Sequence, residues 1–344
     1  MDKYKLKIGY LLIKISENKY QFIEIQTPAK KKVTVTCDTD HDLLFSELAN
    51  GKSIEISNDN PKLYNSFSQL YNLGVLEKEK EDCTHNFNDS YLRYVSRQLL
   101  YLSHYEDNKV SRYDFQERLR NASVAIIGVG GYGTALAMLL AGAGIGHLIL
   151  VDGDVVEESN LSRQLLYRKE HIGLPKVQAA KRELLSINPY IKVETINKFI
   201  KKESDLDMLS GVKCIAGISG PPTRLGSIVS KWALRNKIPH LMAKPALIGP
   251  LCIPGQTPCY DCITIQFGTD KNITEQIVSN LSWMSQLHPA WAPHNFICAA
   301  ISADQILKYF CKIQEVEVLD SIIAINYSDF STTQLIIGEN CGCH

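Results

Sequence analysis

Six residues limit the fold of this chain more than any others. Gly128-Val129-Gly130-Gly131-Tyr132-Gly133 follows the apolar run Val124-Ala125-Ile126-Ile127 and opens a segment with helical spacing. Glycines at this density let a chain turn sharply out of a buried strand. They also let backbone N–H groups at a helix N-terminus approach an anion. Such a turn needs a strand before it and a helix after it, and the following sequence keeps that alternation. Leu148-Ile149-Leu150-Val151 reads as a second strand. Lys176 to Ile187 carries an apolar stripe at Val177, Ala180, Leu184 and Ile187, and Val193 to Ile196 reads as the next strand. Val212-Lys213-Cys214-Ile215-Ala216 adds another. The expected fold class is α/β: a Rossmann-like, mostly parallel sheet with helices on both faces.

The 344 residues leave room for more than this sheet. Residues 1–88 read as a small α+β unit. Leu11 to Ile15 and Tyr20 to Ile25 alternate as strands do across the turn Glu17-Asn18-Lys19, and Val33-Thr34-Val35-Thr36 is a third strand. Asp40 to Leu48 and Pro61 to Leu73 have helical spacing, and Asn72-Leu73-Gly74-Val75-Leu76 gives a helix stop and a last short strand. Strands followed by helices is the order of a winged-helix-like module, with a plain α+β cap as the alternative. Lys30, Lys31 and Lys32 read as a hairpin tip, and the charge run Glu77 to Asp82 as a solvated linker. Residues 89–120 form a pair of helices rich in Arg and Tyr, and 121–344 the α/β domain.

Chemistry concentrates after the second strand of that domain. Asp152 lies 19 residues beyond Gly133, where an acid would hydrogen-bond ribose hydroxyls. Asp154, Asn160, Arg163 and Gln164 follow, and Lys176 opens the next helix after Gly173-Leu174-Pro175. Hydride transfer has no use for Arg and Lys crowded at the phosphates, so a nicotinamide oxidoreductase is the least favoured reading. A triphosphate attacked at its α-phosphorus does use them, because they stabilise charge developing on the α-phosphate and on departing pyrophosphate. This positive charge is local. Lys plus Arg and Asp plus Glu both total 37, so neither a nucleic-acid coat nor an acidic tail is expected. The longest apolar run, Ala135 to Val151, is broken by Gly142, Gly144, Gly146 and His147, so no membrane span is expected. The opening Met1-Asp2-Lys3-Tyr4-Lys5 is unlike a secretory leader. The expected compartment is the cytoplasm, with reduced thiols.

From Gly128 to Lys176 the chain resembles the ThiF/MoeB/HesA enzymes, the adenylating superfamily that also contains ubiquitin-activating enzymes. The resemblance implies ATP with Mg2+. It implies a nucleotide turn at Gly128, Gly130, Gly131 and Gly133, ribose binding by Asp152, and phosphate contacts from Asn160, Arg163, Gln164 and Lys176. The family carries Arg-Tyr-x-Arg-Gln before the glycine turn, and Arg93-Tyr94-Val95-Ser96-Arg97-Gln98 matches it with one extra residue. In such dimers the second arginine reaches the neighbouring subunit's ATP, so the resemblance implies a homodimer with Arg97 supplied in trans. One departure stands out. The family places a metal-holding Asp after the strand that here continues Ile218-Ser219-Gly220-Pro221-Pro222, and no carboxylate lies between Asp207 and Cys259. Magnesium is left to Asp154, to the substrate, or to phosphate and water.

Cys259-Tyr260-Asp261-Cys262 follows the turn Gly255-Gln256-Thr257-Pro258, and Cys341-Gly342-Cys343-His344 forms a second cluster. Thiolates at these spacings suit a tetrahedral zinc ion, and the resemblance implies the same structural Zn2+. The usual second pair has two intervening residues, whereas Cys341 and Cys343 have one, so His344 is an alternative fourth ligand. Free thiols or a redox pair are the rival readings. Cys214 and Cys298 sit in apolar runs and read as core thiols, and Cys37, Cys83, Cys252 and Cys311 take no assigned role, so no thioester cysteine is obvious.

The extra N-terminal unit narrows the choice. Arg93 to Tyr105, Asn160 to Tyr167, Gly249 to Gly255 and Trp291-Ala292-Pro293-His294-Asn295 resemble the microcin C peptide-modifying, MccB-like subgroup. The resemblance implies ATP-dependent adenylation of a carboxylate or amide of a ribosomal precursor peptide, as in bacteriocin maturation. The leader would be held by the N-terminal unit through strand addition. Two alternatives stand beside it: a catalytically degenerate leader-binding partner of another modifying enzyme, and a sulfur-carrier or ubiquitin-like activating enzyme.

Overall fold

The computed structural model describes residues 2–7, 9–25, 31–78, 86–107, 109–218, 224–266 and 290–338. The chain divides into two compact units, Met1–Asp114 and Phe115–His344.

The first unit runs β1 (Asp2–Leu6), β2 (Tyr10–Ser16), β3 (Lys19–Glu24), β4 (Lys32–Thr36), α1 (Thr39–Ala49), β5 (Ile54–Ile56), α2 (Pro61–Asn72), β6 (Leu76–Lys78) and α3 (Asp89–Leu102). It holds two antiparallel three-stranded sheets, ordered β5-β1-β6 and β2-β3-β4. The predicted strands and helices are present within a residue or two. Turn and cap chemistry sets their ends. Asn18 takes the left-handed conformation between β2 and β3. Asp38 accepts the His41 N–H at the start of α1, Asn60 caps α2 ahead of Pro61, and Asn88 accepts the Tyr91 N–H at the start of α3. β1 and β5 were not anticipated. Asp2-Lys3-Tyr4-Lys5-Leu6 is dominated by charge, and Ile54-Glu55-Ile56 is too short to show a period. Pairing on both sides of β1 makes them strands, and Tyr4 anchors β1 in a core with Phe22, Phe45, Leu48 and Phe67. Helix α3 buries Tyr91, Val95 and Leu99 at four-residue spacing beside Phe87, so Arg93, Tyr94 and Arg97 face outward.

Helix α4 (Arg112–Arg120) leads into the second unit. Its elements are β7 (Ser123–Ile127), α5 (Gly131–Gly142), β8 (His147–Val151), α6 (Lys176–Ile187), β9 (Lys192–Ile196), β10 (Cys214–Ile218), α7 (Leu225–Arg235), β11 (His240–Ala243), β12 (Leu247–Ile248), β13 (Leu251–Cys252), α8 (Tyr260–Gln266), α9 (Ala292–Cys311), β14 (Ser321–Ile325) and β15 (Thr332–Ile336). The main sheet is ordered β13-β11-β10-β7-β8-β9. Strands β7 to β11 are parallel and β13 is an antiparallel edge. Chain order reverses between β8 and β10 on the two sides of β7. That reversal opens a crevice at the carboxyl ends of the strands, where ligands bind in such sheets. The apolar run read against a membrane span is core: Ala135, Leu136, Ala137 and Leu140 of α5 are fully buried, and α5 packs against α9. No helix among the described residues is long and apolar enough to cross a membrane. A small sheet, β12-β14-β15, completes the unit.

Candidate nucleotide site

Strand β7 delivers the chain to the crevice, and the glycines there do different jobs. Gly128 sits at φ +86, a conformation that costs glycine little. Its N–H donates to the Val151 carbonyl at 2.8 Å, tying the turn to β8. Gly130 is the N-cap of α5 and supplies no side-chain cap. The first-turn N–H groups are therefore left for an anion. Gly133 lies so close under the turn that a Cβ on it would stand 1.8 Å from the Gly128 carbonyl oxygen.

Asp152 is fixed before any ligand arrives. Its Oδ2 accepts the Val129 N–H at 2.7 Å and its Oδ1 accepts the Asp154 N–H at 2.8 Å. The following segment folds back over the turn. Asn160 is buried, and its Oδ1 accepts the Glu157 N–H at 3.1 Å, closing a short helical turn. Half-buried Arg163 donates from Nη1 to the Ser159 carbonyl at 2.6 Å. Gln164 is 3% exposed, and its Oε1 has no hydrogen-bond partner among the described residues. Lys176 opens α6 with its side chain buried and its Nζ 2.9 Å from Asp154 Oδ2. Tyr167, at the end of the segment that begins at Asn160, ties these pieces together through contacts that no residue pattern announces. Tyr167 donates to the Val129 carbonyl at 2.8 Å, with the Lys176 carbonyl 3.3 Å away. Burial, with Asp152 and Asp154 nearby, keeps its hydroxyl protonated well above the ordinary tyrosine range. The glycine turn, Asp152, Asp154, Asn160, Arg163, Gln164 and Lys176 thus share one rim.

Beyond Asp152 the rim opens into a cleft of about 650 Å³ lined by Gly153, Asn197, Lys198, Phe199, Lys201, Lys202 and Asp205. Phe199 is 52% exposed. Its ring lies so near Gly153 that a Cβ there would stand 2.6 Å from it. Asp205 clamps the loop: it pairs with Lys198 at 2.7 Å and accepts the N–H groups of Lys201 and Lys202. The Lys198 contact, then those N–H groups, pull its carboxyl down to about 2. Neither Phe199 nor Asp205 belongs to a sequence motif.

Several expected residues lie elsewhere. Arg97 is exposed on α3 in the first unit. The stretch 219–223, where the family's Asp would fall, lies outside the described residues, as do Cys341, Cys343 and His344. Cys259 and Cys262 are buried, with their sulfurs 3.8 Å apart. Two ligands of a tetrahedral zinc ion at ~2.3 Å stand about 3.8 Å apart, so this pair fits half of such a site. Cys214 and Cys298 are both buried. Burial pushes the Cys214 thiol up to about 12, which suits a core thiol and not a nucleophile.

The ThiF family model matches residues 96–344. Among curated proteins, the chain is 41% identical over 113 residues to the molybdopterin-synthase adenylyltransferase of Haemophilus influenzae, covering 30% of this chain and 46% of that protein. It is 32% identical over 169 residues to the corresponding Salmonella typhimurium protein, covering 45% of this chain and 65% of that one. The chain thus spans roughly half to two-thirds of these relatives. Among solved structures, it resembles E. coli MccB with AMPCPP and MccA at 25% identity and a TM-score of 0.75, covering 100% of this chain and 98% of that one.

Proposed function

Because the chain belongs to the ThiF family, we propose that it is an ATP-dependent adenylyltransferase acting on a ribosomally made precursor peptide. A carboxylate or side-chain amide oxygen of the peptide attacks the α-phosphorus of ATP. The bond to the bridging oxygen breaks, pyrophosphate leaves, and an acyl-adenylate or its amide counterpart remains for capture by a second nucleophile. The observation that carries this reading is the rim around the glycine turn. There a buried lysine, an arginine and uncapped helix amides concentrate positive charge at one end, and a pre-fixed Asp152 stands at the other. Asp152 receives the ribose, and exposed Phe199 offers a face on which the base can stack. Arg163 and Lys176 stabilise charge on the phosphates, with Asn160 and Gln164 beside them. Arg97, outward on α3, is free to serve a partner copy's ATP in a homodimer. Mg2+, when bound, neutralises phosphate charge. Asp154, exposed and with one carboxylate oxygen outside its Lys176 pair, is the residue that would hold it.

The likeness to MccB over nearly its whole length, in a structure that also contains MccA, supports a peptide substrate over a free acid. The N-terminal unit supplies a docking edge. Strand β2 ends its sheet, and Leu11, Ile13 and Ile15 point outward at 50%, 41% and 46% exposure while Leu12 is buried. An apolar edge strand of this kind accepts an extended leader segment by strand addition. ATP–pyrophosphate exchange, dependent on a cognate precursor peptide, is the expected result. Ile13→Lys should raise the peptide KM about tenfold and leave the ATP KM unchanged. ATP binding without exchange would mean a leader-holding scaffold. The relatives named adenylyltransferases of molybdopterin synthase support a second reading, a carrier protein ending in Gly-Gly, and exchange driven by such a carrier but not by the peptide would establish it.

Zinc is the remaining part of this reading, held by Cys259 and Cys262 with Cys341 and Cys343, or with His344 as the fourth ligand. Its role would be folding stability. Metal analysis should give one zinc per chain, and Cys259→Ser should lose it and lower Tm. Full zinc content in that variant would remove the pair from the site.

A further inference from the structure

The glycine turn has a neighbour from a distant part of the chain. Asn295, in the first turn of α9, lies against Gly131, the first residue of α5. A Cβ on Gly131 would stand 2.2 Å from Asn295 Nδ2 and 2.9 Å from its Cγ. Nδ2 is buried and has no acceptor among the described residues. Gln164, 3% exposed, carries an equally buried and unpartnered Oε1, and its Nε2 lies 4.0 Å from where a Cβ on Gly130 would stand. Two amide side chains from separate segments thus converge on the same glycine pair, and each carries a buried atom with no hydrogen-bond partner among the described residues. Buried polar atoms are rarely left without partners, so Asn295 Nδ2, which lies directly at Gly131, marks where a ligand supplies one.

The Asn295 placement is built in. The His294 ring stacks on Tyr327, with centroids 3.7 Å apart and planes within 4°. One turn further along α9, Cys298 Sγ lies 2.9 Å from the Tyr327 hydroxyl. The Asn295 N–H also bonds the Trp291 carbonyl at 3.2 Å. These contacts hold the first turn of α9 in register, so the amide is aimed before any ligand binds.

We propose that Asn295 contacts the substrate, donating from Nδ2 to a non-bridging oxygen of the α-phosphoryl group at the N-terminus of α5. The uncapped amides of α5 and the nearby Lys176 and Arg163 make the site anion-seeking, and a neutral N–H donor adds direction to that charge. Gln164 Nε2 already lies on the Gly130 side of the turn, so this side chain can donate to the same group. The proposal rests on the adenylation reading. It adds to that reading a contact from α9, more than a hundred residues beyond the nucleotide motifs.

Binding of ATP, AMP and adenosine to the full chain, measured by titration calorimetry, tests it. Asn295→Asp keeps the shape, replaces the donor with an anion, and should weaken ATP and AMP alike by about a hundredfold. Asn295→Ala should weaken both about tenfold, the range of one charge-assisted hydrogen bond. Adenosine affinity and Tm should stay at wild-type values in both variants. Unchanged ATP binding, loss of adenosine together with ATP, or loss of ATP with AMP spared would each overturn the assignment. If the wild-type chain bound no ATP, the adenylation reading would fail and this contact with it. If wild type binds ATP and Asn295→Asp binds it equally, only the contact fails.

Discussion

Replacing Lys176 by alanine should lower the rate of ATP–pyrophosphate exchange about a thousandfold while the fold survives. A preorganised charge aimed at developing negative charge in a water-poor site contributes on the order of a hundred- to a thousandfold. Lys176 has the attributes of such a group: an 8% exposed side chain at the start of α6, beside the glycine turn. Its partner decides the stability effect. Asp154 is 51% exposed, so losing the ammonium returns that carboxylate to solvent and does not strand a buried charge. The cost is expected to stay at about 1 kcal/mol, the scale of exposed ion pairs. Ground-state ATP affinity should fall far less than the rate, because the charge is needed most as pyrophosphate departs. Lys176→Arg should recover little, since a planar fork does not reproduce a point charge at the end of a buried stem. Single-turnover exchange with saturating peptide gives the rate, and a melting curve gives the stability. A rate within tenfold of wild type would remove Lys176 from the chemistry.

What could be read in advance followed from range along the chain. The glycine turn, Asp152 and the segment from Asn160 to Lys176 fall within 49 consecutive residues. Strand and helix periods fix their spatial order, so their types and spacing exposed the site. The same periods gave β7, α5, β8, α6 and β9, because each is long enough to show one and is buried on the face that the pattern marks. The short strands were different. Ile54–Ile56 and Leu247–Ile248 become strands only through partners far along the chain, and no local signal reports that. Asn295 stood in a segment that carries the family likeness, but its place beside the glycine turn, like that of Phe199, went unseen for the same reason. Asn295 reaches the glycine turn through the packing of α9 on α5, and Phe199 through a loop clamped by Asp205. Tyr167 closes the segment from Asn160 that carries the family likeness, yet its hydroxyl bond to the Val129 carbonyl depends on a backbone path that residue types do not encode. Family resemblance extended the reading where physics alone was silent, as with Arg97, whose outward position on α3 looks like any solvent-facing arginine until a second subunit is considered.

The glycines of the turn should separate sharply by position when each is changed to alanine. Gly133→Ala should fail to give a nucleotide-binding protein at all. The added Cβ would stand 1.8 Å from the Gly128 carbonyl oxygen and 2.9 Å from its carbonyl carbon. Both are backbone atoms, held by the Gly128 bond to Val151 in β8. No side-chain rotation relieves that overlap, so α5 would have to lift from β7. Because α5 buries Ala135, Leu136, Ala137 and Leu140 completely, that movement would open the core at a cost of roughly 3 kcal/mol or more. Gly128→Ala meets nothing within 4 Å, but must hold φ +86, a strain of about 1–2 kcal/mol. That variant should fold, melt several degrees lower and still bind ATP. Gly131→Ala falls between them in kind: its Cβ meets the end of the Asn295 side chain, 2.2 Å away, which can swing aside. It should keep the fold and lose ATP affinity through the displaced amide. Melting curves and ATP titrations on the three variants give the order directly. If Gly133→Ala melted no lower than Gly128→Ala, close packing of α5 on β7 would not be what this glycine run provides.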